Sequence, residues 1–174
     1  MTKIGVLSNP LSRNNLKHLG ELQKFLGEHQ DVLHLQLTDF NSLSSVLRDF
    51  AEQAVDILVV NGGDGTVSAV LTELFEHRPF PEPPLLAVLP GGTSNTIARD
   101  VGLRGDPSRS LERLFVEVAS GSYANSVATR GLIRVHYDAT KPAVVGMFFG
   151  TAAICDAIVL RRRIFPQQWL PDAI

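Results

Sequence analysis

The first 120 residues alternate short apolar runs with stretches whose apolar positions recur at helical spacing. Ile4-Gly5-Val6-Leu7 is a compact apolar run closed by Ser8-Asn9-Pro10, a turn signal. Leu16, Leu19, Leu22, Phe25 and Leu26 then predict an amphipathic helix. Leu33, Leu35 and Leu37 alternate with His34 and Gln36, as a strand does. Leu43, Val46, Leu47, Phe50, Ala51 and Ala54 form a second helical stripe, and the β-branched run Val55 to Val60 reads as a buried strand. Val67, Val70, Leu71, Leu74 and Phe75 predict a third helix, and Leu85 to Leu89 a fourth strand. Two more helical patterns follow, through Ile97, Ala98 and Val101 and through Leu111, Leu114, Phe115 and Val118.

Strands alternating with helices in this way predict an α/β fold, a mostly parallel sheet with helices on both faces. The prolines at 79, 81, 83 and 84 mark a surface connection ahead of the fourth strand. After Gly121 the pattern changes. Ile133 to Tyr137 alternates and Val144 to Phe149 is strongly apolar, with no helical pattern between them. Antiparallel strands are expected there, so the chain divides into an α/β domain over 1–120 and an incomplete β-rich segment over 121–174. Two or three strands bury little on their own, and such a segment is expected to lean on the first domain. Left exposed, its Val144–Phe149 run would favour self-association.

Composition narrows the possibilities. The chain has 174 residues, 44% of them hydrophobic, and a net charge of −2, which excludes global disorder. A sequence pI near 6.2 argues against a nucleic-acid partner held by bulk positive charge. A lone cysteine, Cys155, excludes an internal disulfide framework and fits a reducing compartment. The N-terminus has no signal-peptide pattern, and the strongly apolar uncharged run Pro142 to Cys155 is 14 residues. A membrane span needs about 20. A soluble, cytoplasmic protein is expected.

The candidate chemistry lies in Asn61-Gly62-Gly63-Asp64-Gly65-Thr66, between a buried strand and a helix. Open α/β sheets bind ligands at that edge. Closely spaced glycines let the backbone approach an anion, and Thr66 is positioned to cap the following helix, whose dipole adds positive potential. These features describe a phosphate cradle. Asp64 within it would hold magnesium, take a proton from an attacking hydroxyl, or bond backbone in a tight turn. A second such turn, Pro90-Gly91-Gly92-Thr93-Ser94-Asn95, also joins a strand to a helix. A P-loop is excluded, because no lysine occurs between Lys24 and Lys141. The five histidines have no metal-ligand spacing, and Gly-x-Ser-x-Gly is absent.

The two turns, in this order and spacing, resemble the diacylglycerol kinase catalytic-domain family, which includes bacterial lipid kinases and the sphingosine and ceramide kinases. The glycine-rich turn is more distantly similar to that of NAD kinases and 6-phosphofructokinases. The resemblance runs from Lys3 to Leu160 and implies an ATP-dependent kinase that uses Mg2+ and phosphorylates a lipid hydroxyl at a membrane surface. It implies nucleotide contacts from Asn9, Pro10 and Ser12 in the first loop, where Arg13 replaces the family's glycine, and from Thr38 after the second strand. Gly62, Gly63, Asp64, Gly65, Thr66, Val67 and Ser68 match the nucleotide-binding turn, with Asp64 the catalytic candidate. Gly92, Thr93 and Asn95 match the second turn. Asp156, in Ala152 to Ala157, stands where relatives have an Asp that recognises the lipid head group. Metal ligands are not identified. Relatives continue through a β-sandwich domain, which leaves two further readings: a nucleotide-binding domain without catalysis, and an NAD kinase-like enzyme with a soluble substrate.

Overall fold

The computed structural model describes residues 2–149. Asp156, the surrounding 152–157 segment and Arg161 to Arg163 lie outside the described residues. The elements are, in order, β1 (Ile4–Ser8), α1 (Asn15–Gly27), β2 (Leu33–Gln36), α2 (Leu43–Glu52), β3 (Ile57–Gly62), α3 (Asp64–Thr72), β4 (Leu85–Pro90), α4 (Thr96–Val101), α5 (Pro107–Ser120), β5 (Ile133–Val135) and β6 (Val144–Gly146).

The first four strands form a parallel sheet in the order β2-β1-β3-β4. The chain steps outward from β1 to β2 and then crosses back to β3. The loops after β1 and β3 therefore leave in opposite directions at the carboxyl edge of the sheet, the usual ligand position in such folds.

Period-2 alternation sorts the strand side chains onto two cores. Ile57 and Val59 of β3 join Ile4 and Val6 of β1, packed under α1 and α5 through Leu19, Leu22, Leu111 and Leu114. Leu58 and Val60 face the other way, with Leu7, under α2, α3 and α4 through Leu47, Phe50, Val70 and Ile97. The predicted two-faced α/β layering is thus present. One position of the first helical stripe differs: Leu16 is 70% exposed, and the stripe that turns inward runs Asn15, Leu19, Leu22, Leu26.

The helix after β3 starts at Asp64 and continues beyond Thr72 as a π-helical turn, Glu73–His77. The proline-rich connection that follows is pinned to the core by Phe80. β5 and β6 pair antiparallel, and β6 docks on α3. The Val145 N–H donates to Thr72 Oγ1 at 3.0 Å, the Ser68 hydroxyl donates to the Val145 carbonyl at 2.8 Å, and the Val145 side chain is buried in the core. Beyond it, Phe148 and Phe149 are exposed. Among the described residues, no helix is long and apolar enough to cross a membrane.

Candidate functional site

Three loops meet at the carboxyl edge: Asn9 to Asn14 after β1, the Gly63 turn after β3, and Gly91 to Asn95 after β4. The two glycine turns touch. A Cβ built on Gly92 would lie 2.4 Å from the Gly63 Cα, so only glycine allows the backbones to come this close. At Gly65 a Cβ would meet nothing within 4 Å, so the open side of the first turn is there.

Many of the turn amides already have partners. The Gly63 N–H donates to Ser12 Oγ at 3.3 Å, and the Gly92 N–H donates to Asn95 Oδ1 at 2.8 Å. The amides of Asp64 and Gly65 open α3, where first-turn N–H groups have no acceptor within the helix. These, with the α3 dipole, offer donors to an anion.

Under the turns lies a buried polar network. Asn15 Nδ2 donates to the carbonyls of Asn9 at 2.8 Å and Asn61 at 3.0 Å. Asn9 Nδ2 donates to Thr66 Oγ1 at 2.9 Å, and Asn14 Nδ2 to the Pro90 carbonyl at 3.0 Å. The Gly91 carbonyl accepts from the Asn14 and Asn15 amides. These side chains tie the β1 loop to both glycine turns.

The expected nucleotide-site residues are distributed as follows. Asn9, Pro10, Ser12, Gly63, Asp64, Gly65, Thr66, Gly92, Thr93 and Asn95 belong to the three loops or open α3, and Gly62 ends β3. Thr66 is not the helix cap. The helix begins two residues earlier, with Gly63 at the cap position, and the Thr66 hydroxyl serves Asn9 instead. The side chain of Val67 is in the core, and that of Ser68 holds β6. Thr38 is exposed beyond β2, on the far side of β1 from β3. Asp64 turns its carboxylate to the amides of Thr96 and Ile97, at 3.1 and 2.9 Å. The sequence points to Asn61 as the first residue of the candidate stretch, but not to Asn14 or Asn15. The usable signal was Asn15 standing four residues before Leu19 on the inward stripe.

His34 joins this network from the edge strand. Its Nε2 is 3.0 Å from Ser8 Oγ, which accepts from Asn61 Nδ2 at 3.2 Å. The hydroxyl keeps a second lone pair and its proton for the His34 ring, so the tautomer of His34 sets the direction of that bond. Burial holds the His34 pKa below the usual histidine value. An unfolded chain titrates this histidine near pH 6.5. Its contribution is therefore complete above that pH, and it is lost as pH falls through 6.5 toward the lower folded-state value. Denaturation midpoints taken from about pH 7.5 to about pH 5 should fall more steeply for wild type than for His34→Gln. Parallel curves would exclude the effect.

The model of the diacylglycerol kinase catalytic domain matches residues 3–122. A diacylglycerol kinase of Bacillus subtilis (strain 168) is 28% identical over 151 residues, covering 79% of this chain and 49% of that protein. A crystal structure of a diacylglycerol kinase from Bacillus anthracis str. Sterne superposes with a TM-score of 0.53 at 27% identity, covering 66% of this chain and 40% of that one. The chain thus spans about half the length of the Bacillus subtilis relative or less of the solved one. With the family model covering more than half of its residues and the parallel sheet in common, the chain belongs to the diacylglycerol kinase catalytic-domain family.

Proposed function

We propose that this chain carries the ATP-binding part of a lipid kinase and serves transfer of the γ-phosphoryl group to a lipid hydroxyl. The contact between the Gly63 and Gly92 turns at the carboxyl edge of the sheet is the observation that carries this reading. Two adjacent strand-to-helix turns offer one polyanion a continuous backbone surface, and the orphan amides of Asp64 and Gly65 supply donors to it. A triphosphate fits such a surface.

Magnesium fits differently. Among the described residues no group of three or more His, Cys, Asp or Glu side chains could hold a metal ion. Mg2+ commonly binds through substrate phosphates with one or two carboxylates, so it would arrive with the nucleotide, where it would neutralise phosphate charge. Of the turn residues only Asp64 offers a carboxylate, and α4 amides face both of its oxygens. The lipid acceptor and a membrane-surface location follow from the family alone, as does a head-group role for Asp156.

Calorimetric titration of the 174-residue chain with ATP, with and without Mg2+, tests the nucleotide part. Transfer of label from γ-labelled ATP to diacylglycerol in mixed vesicles tests the rest. Binding with label on the lipid is the expected result. Binding without transfer would leave a nucleotide-binding domain, and no binding would remove the proposal. Label on NAD would replace the lipid with a soluble acceptor.

A further inference from the structure

We infer that Asp64 is a positioning residue, whose carboxylate locks the second glycine turn against the first, and is not the proton acceptor of the reaction. The inference rests on the nucleotide reading above and assigns a role within that site.

Three observations converge. The Asp64 oxygens each accept one backbone N–H, from Thr96 and Ile97, residues 32 and 33 positions away. Those amides are the first two of α4, donors that lack partners within the helix. Asn95, at the cap position of α4, makes no side-chain cap bond. Its side chain folds back, accepting from the Gly92 N–H and donating to the Gly92 carbonyl at 2.9 Å. Its backbone is left-handed, with φ 50°. The residue that would ordinarily cap α4 is thus closing its own turn, and the cap comes from the other glycine turn.

A general base must bring an oxygen within hydrogen-bond reach of the proton that it takes. Here each oxygen accepts one α4 N–H and keeps one lone pair, so the carboxylate is held at the start of the helix, and swinging it toward a substrate would uncap α4. The same clasp holds Gly92 against Gly63, because Thr96 lies only four residues beyond Gly92. Asp64 would act on the nucleotide through the placement of the second turn.

Hydrogen exchange on the wild-type chain tests the clasp directly. Amides at the start of an exposed helix usually exchange freely. Those of Thr96 and Ile97 are expected to be protected at least about tenfold, and free exchange at both would overturn the inference. In Asp64→Asn one oxygen becomes an amide that faces an N–H donor. This variant should lose that protection and bind ATP about tenfold more weakly, a loss in the range of one charge-assisted hydrogen bond. Where turnover is measurable, KM for ATP should rise while kcat changes little. A base predicts the reverse: kcat down about 10²–10⁴-fold, with ATP affinity and amide protection intact. Asp64→Ala, lacking both acceptors, should bind ATP more weakly still. Wild type that binds no ATP would sink the nucleotide reading, and wild-type exchange would still decide the clasp.

Discussion

Gly92→Ala is expected to lower ATP affinity by at least about a hundredfold, roughly 2.7 kcal/mol. The reason is steric and sits in the backbone. The new methyl would lie 2.4 Å from the Gly63 Cα, 3.2 Å from the Gly63 nitrogen and 3.1 Å from Asn95 Oδ1. A side chain could rotate away, but two of these three atoms are main chain. The turns must separate, which pulls on the contacts between Asp64 and α4 and on the Asn95 closure of the second turn. Forced overpacking of this kind costs stability by about 1–3 kcal/mol as well. Gly65→Ala supplies the comparison. Beyond its own helix a Cβ there meets nothing within 4 Å, and alanine is the better helix former by about 0.5–1 kcal/mol. Gly65→Ala should thus fold at least as well as wild type and still weaken ATP, because the methyl occupies the open side of the turn. Titration calorimetry and denaturant melts of both variants read the two effects separately. A folded Gly92→Ala protein with wild-type affinity would show that the nucleotide does not use the paired turns.

The local patterns made the layering legible. Period-2 alternation and helical stripes report which face of an element is buried, and both cores follow from them. The glycine turns were legible too, since three glycines between an apolar strand and a helical stripe have few other uses. What escaped was pairing over distance. Nothing local to Asp64 tells that its partners are the amides of Thr96 and Ile97, and nothing local to Ser68 or Thr72 tells that β6 docks there. The start of α3 escaped for another reason. Thr66 is a good cap by residue type, but Gly63 took that place, and the threonine was drawn into the core by Asn9. The first helix shows the limit of periodicity. Neighbouring positions differ by only about 100° around the axis, and hydrophobicity favoured Leu16 where the fold buries Asn15.

That choice leads to the second large effect. Asn15→Ala is expected to destabilise the protein by about 2–3 kcal/mol, whereas Leu16→Ala should stay within about 0.5 kcal/mol of wild type. Asn15 is 5% exposed, and its amide nitrogen bridges the carbonyls at the ends of β1 and β3. Removing it deletes two buried hydrogen bonds at about 1 kcal/mol each and leaves a small polar void, while each carbonyl keeps one backbone donor, from Ser12 and Asn9. Leu16 packs little, so its truncation removes almost no burial. A hydrophobic ranking of the two positions predicts the opposite order. Urea melts with unchanged m-values would read the difference directly. The site should respond along with the fold, since Asn15 holds the β1 loop under both turns: ATP affinity should drop in Asn15→Ala and not in Leu16→Ala. Equal melts for the two variants would mean that the asparagine bridge does not hold the loops together in solution.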